Sequence, residues 1–283
     1  MAGGWNFGPQ IGQSQDLGSL LASSGTVGIA PSDTAFTKGP WTEVVSATGC
    51  DSSWVMVDLR KGGGSSSGGM SYAFDIGVGP SGSEVAVVQN LLIHGSNGYG
   101  VSLMIPLAIR AGSRVSVRQS SDMAWWGDRC RVTIFDDRGG MAGAPSMVDT
   151  YGFISATNVG TAFDPGATAN TKGAWTQLAA SLTADIAGFF VAFDCQNRTD
   201  GTTGAIDFLV DIGAGAGGSE KVVLPNFYTQ GDFYGGTVQT LPMITPYIPM
   251  PIRAGTRIAV RAQSATNTSP DRILGATFYG VRM

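Results

Sequence analysis

Two pairs of carboxylates are the first residues in this chain that could do chemistry. Asp75 and Glu84 bracket the glycine-rich stretch Gly77-Val78-Gly79-Pro80-Ser81-Gly82, and Asp211 and Glu220 bracket a similar stretch further along. Two acids at a defined separation could hold calcium, or act as general acid and base around a glycosidic bond. Both halves of the chain keep the pair, however, and a catalytic pair has no need to occur twice. A carboxylate that satisfies turn amides or pairs with an outward arginine explains the duplication directly, so these four acids are expected to be structural. Gly77 to Gly82 also fits the G-x-G-x-x-G spacing of a dinucleotide loop. The β-branched run after Glu84 offers no helix N-terminus to a phosphate, and the stretch reads as a turn closing a hairpin.

The remaining reactive inventory is small. The one histidine, His94, sits in the polar run His94-Gly95-Ser96-Asn97-Gly98 with no second histidine and no G-x-S-x-G elbow. Cys50, Cys130 and Cys195 form no C-x-x-C pair and are odd in number, which fits buried or incidental thiols better than a disulfide framework or a zinc site. No catalytic residue, cofactor site or metal ligand is assigned on these grounds, and the chain is expected not to be an enzyme.

Aromatic residues are better candidates, as contacts. Trp125 and Trp126 are adjacent in a loop-like stretch, and adjacent residues of an extended chain face opposite ways, so at least one is expected near the surface. Tyr228 and Tyr234 belong to a long segment, Tyr228 to Tyr247, rich in Tyr, Thr, Gly and Pro. These four could stack on sugar rings or anchor a protein partner. Trp5 and Phe7 lie in a Gly-, Ser- and Gln-rich N-terminal segment and are expected to dock on a neighbouring subunit.

The elements that must position these residues come as a duplication. Thr37-Lys38-Gly39-Pro40-Trp41-Thr42 returns as Thr171-Lys172-Gly173-Ala174-Trp175-Thr176. Asp75-Ile76-Gly77 through Gly82-Ser83-Glu84 returns as Asp211-Ile212-Gly213 through Gly218-Ser219-Glu220, and Asn90 then matches Asn226. Ile109-Arg110-Ala111-Gly112-Ser113-Arg114-Val115-Ser116-Val117-Arg118 returns as Ile252-Arg253-Ala254-Gly255-Thr256-Arg257-Ile258-Ala259-Val260-Arg261. Trp41 and Trp175 recur at one motif position, which points to a packing role. The runs around Trp54–Asp58, Tyr72–Ile76, Val85–Val88, Val101–Ile105, Arg114–Arg118 and Arg131–Phe135 are short, rich in β-branched and aromatic residues, and divided by turn formers. Ala111-Gly112 reads as a tight turn, and Asp16 to Ser23 could make two helical turns at most.

The expected fold is therefore all-β: two tandem antiparallel β-sandwiches, jelly-roll-like in strand count, with an extended N-terminal arm. The expected boundaries are arm 1–24, first sandwich 25–138, linker 139–150 and second sandwich 151–283. With 283 residues and a net charge of -4, the chain is long enough for two cores and carries no overall basic face for nucleic acid. Pro242, Pro246, Pro249 and Pro251 interrupt the longest late uncharged stretch, so no membrane insertion is expected there. Met1 to Gly12 has neither a charged n-region nor an apolar h-region, which points to synthesis in a cytoplasm.

The repeated order of an Asp-Ile-Gly-x-Gly turn, a Gly-Ser-Glu, an apolar strand ending in Asn and an Ile-Arg-Ala-Gly-x-Arg segment resembles modules of virion structural proteins of tailed bacteriophages. The resemblance covers both copies, about four-fifths of the chain, and marks strand and turn chemistry rather than a site. It implies a non-catalytic tail, fibre, baseplate-peripheral or capsid-decorating subunit, located in the virion after assembly in a host cytoplasm. Other virion proteins and further copies of the chain are its implied partners. A carbohydrate-binding module that recognises a host surface glycan is the alternative expectation.

Overall fold

The computed structural model describes residues 11–20, 28–29, 32–60, 70–95, 100–122, 129–137, 145–197, 204–234, 237–240, 243–265 and 273–283. The first module is built from β1 (Ile11–Leu20), β2 (Thr42–Val45), β3 (Ser52–Arg60), β4 (Met70–Val78), β5 (Val85–Gly95), β6 (Gly100–Ile109), β7 (Val115–Ser121) and β8 (Arg129–Asp137). After it come β9 (Val148–Tyr151), β10 (Phe153–Ile154), β11 (Val159–Phe163), β12 (Thr176–Ala179), β13 (Ile186–Asn197) and β14 (Gly204–Ala214). The chain closes with β15 (Lys221–Tyr234), β16 (Thr237–Thr240), β17 (Met243–Ile244), β18 (Ile258–Ser264) and β19 (Ile273–Arg282).

The fold is all-β, as the period-two patterning requires. In the first module one sheet runs β1-β8-β3-β6 and the other β2-β7-β4-β5. The second repeats the order, with β11-β19-β13-β17 facing β12-β18-β14-β15 and β16 added beyond β15. Among the described residues the first is a jelly roll of eight strands in two four-stranded sheets, and the second repeats that plan with one sheet extended to five strands by β16. Alternation decides which residues enter the core. Val55, Val57 and Leu59 on β3, and Cys130, Val132 and Ile134 on β8, are buried between the first two sheets. Phe189, Val191 and Phe193 on β13, with Phe208, Val210 and Ile212 on β14, do the same in the second.

Two segments differ from the sequence expectation. Ile11–Leu20, assigned to the arm with a two-turn helix conceivable from Asp16, is strand β1, antiparallel to β8. A jelly roll needs a first strand to satisfy the outer backbone edge of β8, as β11 does for β19. The alternating cue was hidden because the segment is largely polar; only Leu17 among its described side chains is buried. The linker range also contains structure: Val148 begins β9, which pairs with β19 and with β5 through Val88.

The modules are not independent. Phe190 and Ala192 on β13, and Tyr279 and Val281 on β19, point away from their own core and join the core of the first module. The Tyr279 hydroxyl donates to the Asn90 carbonyl and accepts from Leu92 N–H, both at 2.7 Å. Ser120 Oγ donates to Asn158 Oδ1 at 3.0 Å, and Trp54 meets Tyr247 edge to face at 5.9 Å.

Candidate functional site

The duplicated acids are held in matching clamps. Asp75 is buried and pairs with Lys38 Nζ and Arg118 Nε, each at 2.8 Å, while Asn90 N–H donates to its Oδ1 at 2.8 Å. Asp211 repeats this with Lys172 at 2.8 Å and with Arg261 and Asn226 N–H at 2.9 Å. Asn90 and Asn226 take left-handed backbone, φ 52° and 48°, at bulges where β5 and β15 carry an extra residue. The bulge is what frees each N–H to reach the carboxylate. Burial raises the Asp211 pKa, but Lys172, the Asn226 N–H and Arg261 more than offset it, and the net shift is downward. Burial lowers the Lys38 pKa against the pull of Asp75.

Arg118 and Arg261 also cover the tryptophan rings of Trp41 and Trp175, both at 4.4 Å. Each ring lies on a glycine: a Cβ at Gly77 or Gly213 would come within 2.7 Å of it. Glu84 and Glu220, at the far end of each turn, are buried against Arg114 and Arg257. Burial pushes Glu84 up, yet the turn N–H groups and Arg114 bring its pKa below the ordinary value; at Glu220 the turn N–H lowers it most. The turns join antiparallel strands and lead into no helix. All four acids are thus engaged in tying loops to strands, the arrangement expected of structural carboxylates. Among the described residues no group of three or more His, Cys, Asp or Glu side chains could hold a metal ion.

The open chemistry lies elsewhere, on the outer face of β14 and β15. Counting from the matched aspartates and asparagines, Ala73 and Leu92 of the first module correspond to Leu209 and Tyr228 of the second, and Ser71 and His94 to Asp207 and Gln230. In the first module this face is closed, with Ala73 0% and Leu92 1% exposed where Tyr279 and Asn158 of the second module lie against it. In the second module the same face is open: Tyr228 is 51% exposed, Asp207 is exposed, and Leu209, Gln230 and Gln263 are half-buried. The Tyr228 hydroxyl donates to Asp207 Oδ1 at 2.6 Å and Gln230 Nε2 donates to the same oxygen at 3.1 Å. That carboxylate raises the phenol pKa, so the hydroxyl stays a donor and the ring is held across the sheet.

Of the residues singled out in the sequence, Tyr228 thus belongs to an open polar and aromatic face. Tyr234 lies further along β15, opposite Thr237. Trp5, Phe7, Trp125 and Trp126 lie outside the described residues. His94 is on β5 opposite Ser71, and Cys195 is on β13 opposite Leu274; Cys50 is half-buried and Cys130 buried. Asp207 and Gln230 escaped the sequence reading, because their partnership depends on which strand lies beside which.

The chain matches no protein-family model, and no curated protein is similar to it at a significant level. Among solved structures it is similar to PNGF-II, at 9% identity and a TM-score of 0.35, over 94% of this chain and 66% of the other. The chain thus spans just under two-thirds of that protein's length. It is also similar to the tandem CBM22-1-CBM22-2 domains of Xyn10C from Paenibacillus barcinonensis, at 9% identity and a TM-score of 0.28, over 96% of this chain and 98% of the other.

Proposed function

We propose that this chain is a non-catalytic glycan-contacting protein, and that its contact surface is the outer face of β14 and β15. The observation that carries this reading is the Tyr228 ring, more than half exposed and tethered through its hydroxyl to Asp207 beside Gln230. A pyranose presents an apolar C–H face and a rim of hydroxyls. An aromatic ring offers the first a stacking surface, and a carboxylate and an amide offer hydrogen bonds to the second. Because the tether fixes the ring before binding, little side-chain entropy remains to be lost. The engagement of Asp75, Glu84, Asp211 and Glu220 in ion pairs supports a role without hydrolysis.

The setting we propose is the outside of a tailed-phage virion, which rests on the repeated turn and strand motifs of the sequence. There the chain would be a tail, fibre, baseplate-peripheral or decorating subunit. Detection of the chain by mass spectrometry in purified particles tests the setting, and its absence from them refutes it.

The glycan reading is tested by screening the full chain against an array of bacterial surface glycans, with Tyr228→Ala alongside. Binding by the wild type that drops at least tenfold in Tyr228→Ala, with an unchanged circular dichroism spectrum, is the expected result. A wild type that binds no glycan, or a variant that binds as well as the wild type, overturns it.

A further inference from the structure

The outer face of the sheet β1-β8-β3-β6 carries a second surface that the glycan reading leaves unused. Val55, Val57 and Leu59 point into the core, so Trp54, Met56 and Asp58 point outward; by the same alternation Phe135 on β8 and Met104 on β6 are outward. Trp54 stands opposite Phe135 on one side and Pro106 on the other, and Met56 stands opposite Met104. Trp54, Met56, Met104 and Phe135 are all half-buried, and with Pro106 and the buried Thr133, which stands opposite Met56, they share one face of the sheet. Its rim is polar: Asp58 bonds Ser102, and Arg131 pairs with Asp16. An apolar centre of Trp, Phe and Met within a charged rim has the composition of a protein interface.

The duplication indicates what such a face meets. Val55 opposite Ile134 and Val191 opposite Phe278 are matching core positions, so Trp54, Met56 and Phe135 correspond to Phe190, Ala192 and Tyr279. Those three are buried against another jelly roll, the first module of the same chain. The patch is also continuous with that intramolecular interface, since Trp54 already touches Tyr247. One difference sets the geometry. Tyr279 uses its hydroxyl to satisfy the Asn90 carbonyl and Leu92 N–H, and Phe135 has no hydroxyl with which to repeat that contact on a β-strand backbone. An apolar, methionine-rich surface is instead suited to packing against its own image, because Met side chains adapt to an irregular partner.

We propose that a second copy of this chain covers the patch, face to face across a two-fold axis, giving a dimer joined through the first modules. The rim carries both signs, with Asp58 directly opposite Arg131, so neither charge needs to meet its like across the axis.

Light scattering on the full chain tests this, comparing the wild type with Met56→Lys/Met104→Lys and with Tyr228→Ala. Expected is twice the 29.2 kDa chain mass for the wild type and for Tyr228→Ala, falling twofold in the methionine variant. A monomeric wild type, a methionine variant that stays dimeric, or a dimer lost in Tyr228→Ala overturns the proposal; the last outcome would assign the contact to the β14–β15 face. A readout on the unmodified chain guards against misfolding of the variant. Mild peroxide should oxidise Met56 and Met104 more slowly in concentrated than in dilute protein, and rates independent of concentration would equally refute the dimer. Failure of glycan binding leaves both measurements untouched.

Discussion

Tyr279, near the end of the last strand, holds Asn90 of the first module by donating its hydroxyl proton to the Asn90 carbonyl at 2.7 Å. The same oxygen accepts the Leu92 N–H, and the ring stacks on Phe190 with centroids 4.7 Å apart. The phenol is fully buried, which pushes its pKa far upward and keeps the donor proton in place. Asn90 N–H in turn reaches Asp75, so one bulged residue joins the ion-pair clamp of the first module to the second module's last strand.

Tyr279→Phe keeps the stacking and removes only the hydroxyl. It orphans one buried carbonyl and one buried N–H, so we expect a loss of about 1–3 kcal/mol in unfolding free energy. Because the bond crosses between modules, urea unfolding should stay a single transition in the wild type. Equal stability of wild type and variant would show that water replaces the hydroxyl.

The Asp211 clamp makes stability depend on pH. Its folded pKa is lowered below the ordinary 3.8, so the folded state binds the proton less readily than the unfolded chain. That contribution is fully present above the ordinary value and is lost as pH falls through the folded pKa. Asp211→Asn should cost about 3 kcal/mol at neutral pH, toward the lower end for breaking a buried pair, since Lys172 and Arg261 retain some water. It should also flatten the acid limb of a stability–pH curve. An unchanged acid limb would mean that other carboxylates control it.

Gly77 and Gly213 are the floors on which Trp41 and Trp175 rest, and a Cβ there has nowhere to go without lifting the ring. Gly77→Ala and Gly213→Ala should each cost about 1–3 kcal/mol, as overpacking does. Each should also move its tryptophan out from under its arginine, with a red shift of fluorescence emission. Two variants without a shift would show that the sheet, rather than the ring, gives way.

The repeat motifs make the clamps legible in the sequence: Lys38, Trp41, Asp75, Asn90, Glu84, Arg114 and Arg118 all lie in or beside stretches that return in the second half. Local alternation likewise marked β3, β4, β7 and β8, because one face of each strand is apolar. β1 was not legible, since its place depends on the edge of β8, more than a hundred residues away. Nor was the open face at Tyr228. Leu92 and Tyr228 occupy the same repeat position, and only the docking of one module on the other closes the first and leaves the second exposed.

Phe36 offers the last test. It adopts left-handed backbone, φ 59°, with 37% of its surface exposed, in the turn that leads to Lys38 and Trp41. A bulky residue is disfavoured in that region, where Cβ crowds the following carbonyl. The second module has the same turn, with Phe36 N–H on the Ser121 carbonyl matched by Asn170 N–H on the Ser264 carbonyl. There the residue is Asn170 at φ 57°, a type that tolerates this conformation. Phe36→Asn should therefore stabilise the chain by about 0.5–1 kcal/mol, raising its melting temperature by a few degrees or less. A lower melting temperature in Phe36→Asn would show instead that the ring contributes packing that outweighs the backbone cost.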